Sequence, residues 1–408
     1  MSITITSNSV DFDINKYLET LNSNDTTRIS ISNETIHTFP CLNRFSNLQR
    51  IYCGNNKISY LPPLDELHNL KELFCEKNNL ECLPLLPSLT TLYCSNNKLS
   101  YLPLLLPKSL ILLVCSGNLL SSLPPLKDLP YLKTLECDYN CLTALPLLPS
   151  SLEILKCNNN QLMYLPPLYE FKYLKIINCS CNILQFLPIL INMPSLKRLS
   201  CNNNLLSFLP SLIDLPSLIE LGCINNRLTS LPSLNNSLKF IYCSYNQLTS
   251  LPYFPSLTEL ICSYNQLTSL PLLSIHLKVI YCSHNQLTSL PVLPLFLEVL
   301  FCNNNNLHYL PSLPSSLLLF NISYNPIDEI FMNNSLSNIN RKINIINDFR
   351  EKFYLFKFKK NIISWMWKSR KDRIEEQFHP KHLHNFINNN IEDYDLDTFL
   401  IDFKTTKT

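Results

Sequence analysis

Cysteine is the residue type with the most reactive chemistry here, because a thiol can act as a nucleophile, ligate a metal or form a disulfide. The 408 residues include 17 cysteines, and 13 of them recur at intervals of 19 to 22 residues. They are Cys53, Cys75, Cys94, Cys115, Cys137, Cys157, Cys179, Cys201, Cys223, Cys243, Cys262, Cys282 and Cys302. Each occupies an apolar place in the pattern LxxLxCxxNxLxxLP, so we expect small buried hydrophobic side chains. The sequence predicts reduced thiols and a reducing compartment, with disulfides and metal ligation as the alternatives.

A second set of candidate functional residues faces outward. These residues alternate with the inward-facing positions of the repeated pattern. At the N-terminal end this row is aromatic, the middle is polar, and the C-terminal end is again aromatic or aliphatic. Exposed apolar patches often mark partner sites, and aromatic residues suit binding hot spots. We therefore predict protein binding by Tyr52, Phe74, Tyr93, Phe240, Tyr242, Ile261, Val279, Tyr281, Val299 and Phe301. The alternative is that aromatic residues simply favour strands and stack along a sheet.

Catalysis is not expected from the remaining residues. The chain has three glycines, Gly54, Gly117 and Gly222, and none forms a phosphate-binding loop. The last cysteine is Cys302, so the following segment has no thiol nucleophile. The sequence predicts a protein that is not an enzyme, with no cofactor and no small-molecule substrate.

The C-terminal segment holds two clusters that invite a functional interpretation. His379, His382 and His384 could ligate a metal, but they lack cysteine partners, and we interpret them as a polar turn without metal. Trp365 and Trp367 lie beside basic residues and could contact nucleic acid or a membrane surface. The preferred interpretation is that the aromatic rings pack and the charges stay solvated. A net charge of +2 also argues against nucleic acid as a partner.

The elements that position these residues follow from the repeat. The LxLxC stretch alternates with period two and predicts a short strand, and consecutive strands should form one parallel sheet on the concave side. The recurring Asn should satisfy backbone groups in the turn that follows. Four to seven residues separate LP from the next repeat, too few for a helix, so the convex side should be mostly coil. The fold class predicted is an α/β repeat solenoid, a curved array with a small helical C-terminal tail.

Three regions are predicted: an N-terminal cap over residues 1–25, the array over 26–330 and a helical C-terminal tail over 331–408. Residues 13–21 offer an Asp N-cap and a short amphipathic helix. In the tail, Ile339, Ile343, Ile346, Phe349 and Phe353 recur at helical spacing. No signal peptide or membrane span is expected, because residues 1–12 are polar and the apolar run 102–115 is broken by prolines. A cytoplasmic protein is therefore expected.

The 13 in-register copies resemble the leucine-rich repeat subclass whose units end in LP, which occurs in bacterial effectors and in giant DNA viruses of amoebae. The resemblance covers about residues 26–330, and the tail is similar to C-terminal segments of giant-virus proteins. It implies a non-catalytic scaffold that binds a protein partner, a host protein in the host cytoplasm if the chain is viral. The alternative is an adaptor whose tail recruits a host enzyme such as a ubiquitin ligase.

Overall fold

The computed structural model describes residues 12–86, 88–327, 338–348 and 352. The chain divides into two compact units. The first comprises residues 1–308 and 314–328, and the second comprises residues 309–313 and 329–408. The strands described below lie in the first unit.

The first unit begins with a short helix, α1, over Ile14–Glu19. Asp13 is the N-cap: its Oδ1 accepts hydrogen bonds from the backbone N–H groups of Asn15 at 3.0 Å and Lys16 at 3.2 Å. Such a cap stabilises a helix by about 1 kcal/mol. Ile14, Tyr17 and Leu18 are buried. The helix predicted for residues 13–21 is confirmed.

Fifteen strands of three residues each follow and form one parallel sheet in chain order, β1 to β15. The strands are β1 (Arg28–Ser30), β2 (Arg50–Tyr52), β3 (Glu72–Phe74), β4 (Thr91–Tyr93), β5 (Leu112–Val114), β6 (Thr134–Glu136), β7 (Ile154–Lys156), β8 (Ile176–Asn178), β9 (Arg198–Ser200), β10 (Glu220–Gly222), β11 (Phe240–Tyr242), β12 (Glu259–Ile261), β13 (Val279–Tyr281), β14 (Val299–Phe301) and β15 (Leu319–Asn321). Neighbouring strands pair without offset, so residues at equivalent repeat positions lie side by side, as Val279 does with Val299. The predicted parallel-strand solenoid is confirmed.

The middle residue of each strand points into the core, and the first and third residues face the opposite way. In β13, for example, Ile280 is 0% exposed, whereas Val279 and Tyr281 are half-buried. The cysteine that follows each strand from β2 to β14 is also buried. Alternation along an extended backbone thus separates core from surface within three residues.

A ladder of asparagines connects the repeats beneath the strand ends. Nδ2 of Asn204 donates to the carbonyl oxygens of Cys179, Cys201 and Asn202, each at 3.1 Å. Its Oδ1 accepts the N–H of Leu184 at 3.0 Å. The amide therefore satisfies backbone groups of its own repeat and the preceding one, as a buried turn requires. The predicted role of this Asn is confirmed.

The segments between the strands are coil and turns, with no α-helix between β1 and β15 in the described residues. Their leucines point inward: Leu206 and Leu209 are 0% and 6% exposed. This confirms the coil predicted on the side opposite the sheet.

In the second unit, residues 338–348 are helical. Ile339 and Ile343, one turn apart, are buried at 7% and 1% exposure. Asn340 pairs with the backbone of Leu313, accepting its N–H at 3.3 Å and donating to its carbonyl at 3.0 Å. The predicted amphipathic helix is confirmed over these residues, whereas Phe349 and Phe353 lie outside the described residues. No helical segment among the described residues is long and apolar enough to cross a bilayer.

Candidate binding surface

The repeated thiols are scaffold rather than a reactive site. The structure has all 17 cysteines as free thiols, and the 13 of the repeat are buried. Several donate to a carbonyl of the next repeat, as Cys179 Sγ does to Ser200 O at 3.4 Å. Burial raises the pKa of the Cys179 thiol to about 12. Because the thiolate is the nucleophile, these groups are unreactive at neutral pH. The predicted burial of these thiols is confirmed.

Metal chemistry finds no support in the described part of the chain, which holds no group of three or more His, Cys, Asp or Glu side chains able to bind an ion. The predicted features of the C-terminal segment, His379, His382 and His384 as well as Trp365 and Trp367, lie outside the described residues. Their interpretation stays a prediction.

The outward face of the sheet consists of two rows, the first-position row and the third-position row, which take one residue each from every strand. At its N-terminal end, Tyr52, Phe74 and Tyr93 form what we call the N-terminal aromatic cluster. Adjacent rings stack with centroids 4.6 and 4.8 Å apart. The guanidinium of Arg28 lies 4.4 Å from the Tyr52 centroid and covers that ring. Each of these rings therefore has a neighbour within the chain, as the stacking alternative predicts for this end.

Ion pairs occupy the middle of the face. Glu136 pairs with Lys156 at 2.8 Å. Beside the face, directly before β7, Glu153 accepts hydrogen bonds from Lys175 at 2.6 Å and Lys133 at 2.9 Å. These two hydrogen bonds lower the pKa of its carboxyl group. Such exposed pairs contribute little to stability, about 0–1 kcal/mol each. These ion pairs do neutralise the charged side chains within the chain, so the middle of the face offers few unpaired groups to a partner.

The C-terminal end carries the larger apolar surface, which we call the C-terminal patch. It comprises strands β11 to β14 and contains, in pairing order, Phe240, Glu259, Val279 and Val299 in the first-position row and Tyr242, Ile261, Tyr281 and Phe301 in the third-position row. Tyr281 and Phe301 meet edge-to-face, with centroids 4.8 Å apart. The sequence predicts exposed side chains here, but the structure has them half-buried. The reason is the strand spacing, since each side chain covers part of its neighbour.

One carboxylate interrupts this apolar surface. The hydroxyl of Tyr242 donates to Glu259 Oε2 at 3.4 Å. Desolvation, followed by the charges of Glu259 and Glu220, raises the pKa of Tyr242 to about 12. Tyr242 is therefore a neutral hydrogen-bond donor at physiological pH.

A second aromatic group, which sequence reasoning missed, lies in the turns that follow β11, β12 and β13. Tyr245, Tyr264 and His284 stack with centroids 4.3 and 4.0 Å apart. Their φ angles are 56°, 56° and 53°, a left-handed conformation that favours Gly or Asn. Other repeats place Asn at this position, as with Asn203 and Asn225. The signal was visible in the sequence as an aromatic residue directly before the recurring Asn of the repeat, in SYN, SYN and SHN.

The comparisons with known proteins agree with this geometry. The family model described as leucine-rich repeats (2 copies) matches residues 46–86 and 255–295. The comparison with curated proteins found no match.

Solved structures resemble the chain over most of its length. YopM from Yersinia enterocolitica is 32% identical, with 74% of each chain covered and a TM-score of 0.66. The YopM effector of Yersinia pestis is 31% identical, covering 73% of this chain and 88% of that one at a TM-score of 0.52. A repeat protein of Leptospira interrogans is 27% identical, covering 78% and 96% at 0.62.

Proposed function

Because this chain belongs to the leucine-rich repeat family, we propose that it is a non-catalytic scaffold that binds a protein partner through the C-terminal patch. The observation that carries the proposal is the run of half-exposed aromatic and aliphatic side chains across four adjacent strands, Phe240 to Phe301. Large aromatic side chains in such a surface are typical binding hot spots.

The other parts of the outward face support this choice by contrast. The middle of the face has its charges in internal ion pairs, such as Glu136 with Lys156. The rings of the N-terminal aromatic cluster stack on one another, and Arg28 covers Tyr52. Tyr52, Phe74 and Tyr93, predicted as binding residues, are therefore secondary candidates for partner contact.

The class of partner is proposed from the relatives. The Yersinia pestis protein is described as a leucine-rich effector protein. On this similarity we propose that the partner of this chain is a protein of a host cell, met in the host cytoplasm. The adaptor alternative, with recruitment of a host enzyme, depends on residues 331–408, of which the structure describes 338–348 and 352. It stays a prediction, as does the resemblance to giant-virus proteins.

Affinity capture with the full chain tests the proposal. Tyr281→Ala removes aromatic area from the centre of the patch and should weaken partner binding by about 2 kcal/mol, roughly thirty-fold. Tyr253→Ala is the matched control, because Tyr253 is 57% exposed but lies in the coil between β11 and β12. We expect wild type and Tyr253→Ala to retain the same set of proteins, and Tyr281→Ala to lose that set. Equal retention by all three forms would contradict the assignment of the patch.

Ile280→Ala separates binding from folding. Ile280 is fully buried, so its truncation should lower the free energy of unfolding by about 2–5 kcal/mol. Tyr281→Ala, one residue away, should lower the free energy of unfolding by less, about 1 kcal/mol, because Tyr281 is half-buried and loses its contact with Phe301. Loss of binding by Tyr281→Ala with an intact fold would then report on the surface alone.

A further inference from the structure

The outward face contains the same tyrosine–glutamate pair twice. In the first copy, the hydroxyl of Tyr52 on β2 donates to Glu72 Oε2 on β3 at 3.3 Å. In the second, the hydroxyl of Tyr242 on β11 donates to Glu259 Oε2 on β12 at 3.4 Å. Both tyrosines end a strand and both glutamates begin the next one, so the two copies share one register.

The first copy is completed by two arginines of the chain. Arg50 pairs with Glu72, with its Nε 3.3 Å from Oε2. Arg28, one strand earlier, lies over the face of Tyr52 at 4.4 Å. A guanidinium suits both contacts, since it pairs with a carboxylate in its plane and stacks on an aromatic ring through its face.

The second copy lacks both arginines. The place of Arg50, on the same strand as the tyrosine, is taken by Phe240, and the place of Arg28, one strand earlier, is taken by Glu220. Glu220 is itself paired with Arg198 at 3.1 Å. Within the described residues, Glu259 has no ion pair and no cation covers the ring of Tyr242.

The surroundings make this carboxylate costly to cover with an uncharged partner. Glu259 lies between Phe240 and Val279 in the first-position row, inside the C-terminal patch. A partner that covered the patch would remove the carboxylate from water, and a buried carboxylate without a cation is strongly unfavourable. A cationic side chain of the partner beside Glu259 would neutralise this carboxylate, and it would also fix the position in which the partner binds along the sheet.

We infer that the partner is a protein segment that presents an arginine to Tyr242 and Glu259, in the places that Arg28 and Arg50 fill at the other copy. The inference rests on the proposed function, because it assumes that the C-terminal patch is the contact surface. It adds the chemistry of the partner: a basic side chain flanked by apolar residues that cover Phe240, Val279 and Tyr281.

Selection of peptides from a random dodecapeptide library displayed on phage, with the folded full chain as bait, tests the inference. Peptides that bind wild type but not Tyr281→Ala should share an arginine at one position. For a synthetic peptide from this group, Glu259→Gln should lower affinity about ten-fold or more. Citrulline, the neutral analogue of arginine, should lower it equally, and the two changes together should cost no more than either alone.

Glu72→Gln is the matched control, because the chain already supplies the cations of that copy, and this variant should bind the peptide as wild type does. If Tyr281-dependent peptides lack arginine and ignore Glu259→Gln, the inference is overturned while the proposed surface stands. If Glu72→Gln lowered peptide affinity as much as Glu259→Gln does, the inference would also be overturned, because the peptide would then be attracted by negative charge in general and not by Glu259. If no peptide depends on Tyr281, the proposed surface itself fails.

Discussion

At the scale of single residues, one step along a strand changes a side chain from scaffold to surface. Ile280 is fully buried, its neighbour Tyr281 is half-buried on the outward face, and the next residue, Cys282, is buried again. The thiols therefore belong to the core, and their proton equilibria are linked to folding.

That linkage predicts a loss of stability at alkaline pH. The pKa of Cys179 is raised from 9.0 to about 12 by burial. Between these values the unfolded chain loses the thiol proton while the folded protein keeps it. The contribution of the protonated Cys179 thiol to folding stability is therefore complete below pH 9.0 and is lost as pH rises towards 12. From pH 8 to pH 10 the free energy of unfolding should fall by about 1.4 kcal/mol more for wild type than for Cys179→Ala.

Urea unfolding of both proteins at the two pH values measures this difference. The Ala variant starts from a lower stability because it leaves a cavity, but that offset does not depend on pH. Parallel pH profiles for the two proteins would show that Cys179 titrates normally in the fold.

At the scale of elements, the repeat could be predicted from the sequence because each strand meets only its neighbours, and the same contacts recur. The Leu, Cys and Asn positions specify strand, core and turn in every unit, so one unit predicts all the others. The outward positions of the C-terminal patch could be predicted from the same alternation of inward and outward residues. The charged side-chain contacts between repeats were not predicted. Arg28 over Tyr52, for example, depends on which side chains become neighbours once the strands pair, and so do Lys133 and Lys175 on Glu153.

The left-handed aromatic residues were missed for another reason. Tyr245 and Tyr264 occupy a position where steric preference favours Asn or Gly, so local propensity gives no reason to expect them there. Their mutual stacking across repeats is a tertiary contact that helps to offset the backbone strain.

The asparagine ladder gives the prediction that belongs to this scale. Asn204→Ala would leave the carbonyls of Cys179, Cys201 and Asn202 without the amide that they now share. We expect a loss of about 3 kcal/mol in the free energy of unfolding, measured by urea denaturation.

Asn203→Gly is the matched control, because Asn203 is exposed at φ 53°, where glycine is unstrained. It should change stability by less than about 0.5 kcal/mol. Equal losses in the two variants would mean that the ladder amides contribute no more than surface asparagines.

At the scale of the whole sheet, one scaffold presents three different surfaces in sequence. At its N-terminal end the rings stack on one another, and Arg28 lies over Tyr52. Its middle is ion-paired, and its C-terminal strands place apolar side chains beside the carboxylate of Glu259. Since the backbone hardly changes from repeat to repeat, the difference lies in the outward residues alone. We therefore propose that recognition depends on the outward residues of strands β11 to β14 rather than on the fold as such.

Site-specific photocrosslinking tests this placement most directly. The photoreactive residue p-benzoylphenylalanine would replace Tyr281 in one form of the full chain and Tyr253, in the coil after β11, in the other. Both forms would be irradiated with the proteins that wild type retains, and adducts would be counted by mass spectrometry. We predict adducts from position 281 and none above background from position 253. Adducts from position 253 alone, or equal yields from both, would contradict recognition by the C-terminal patch.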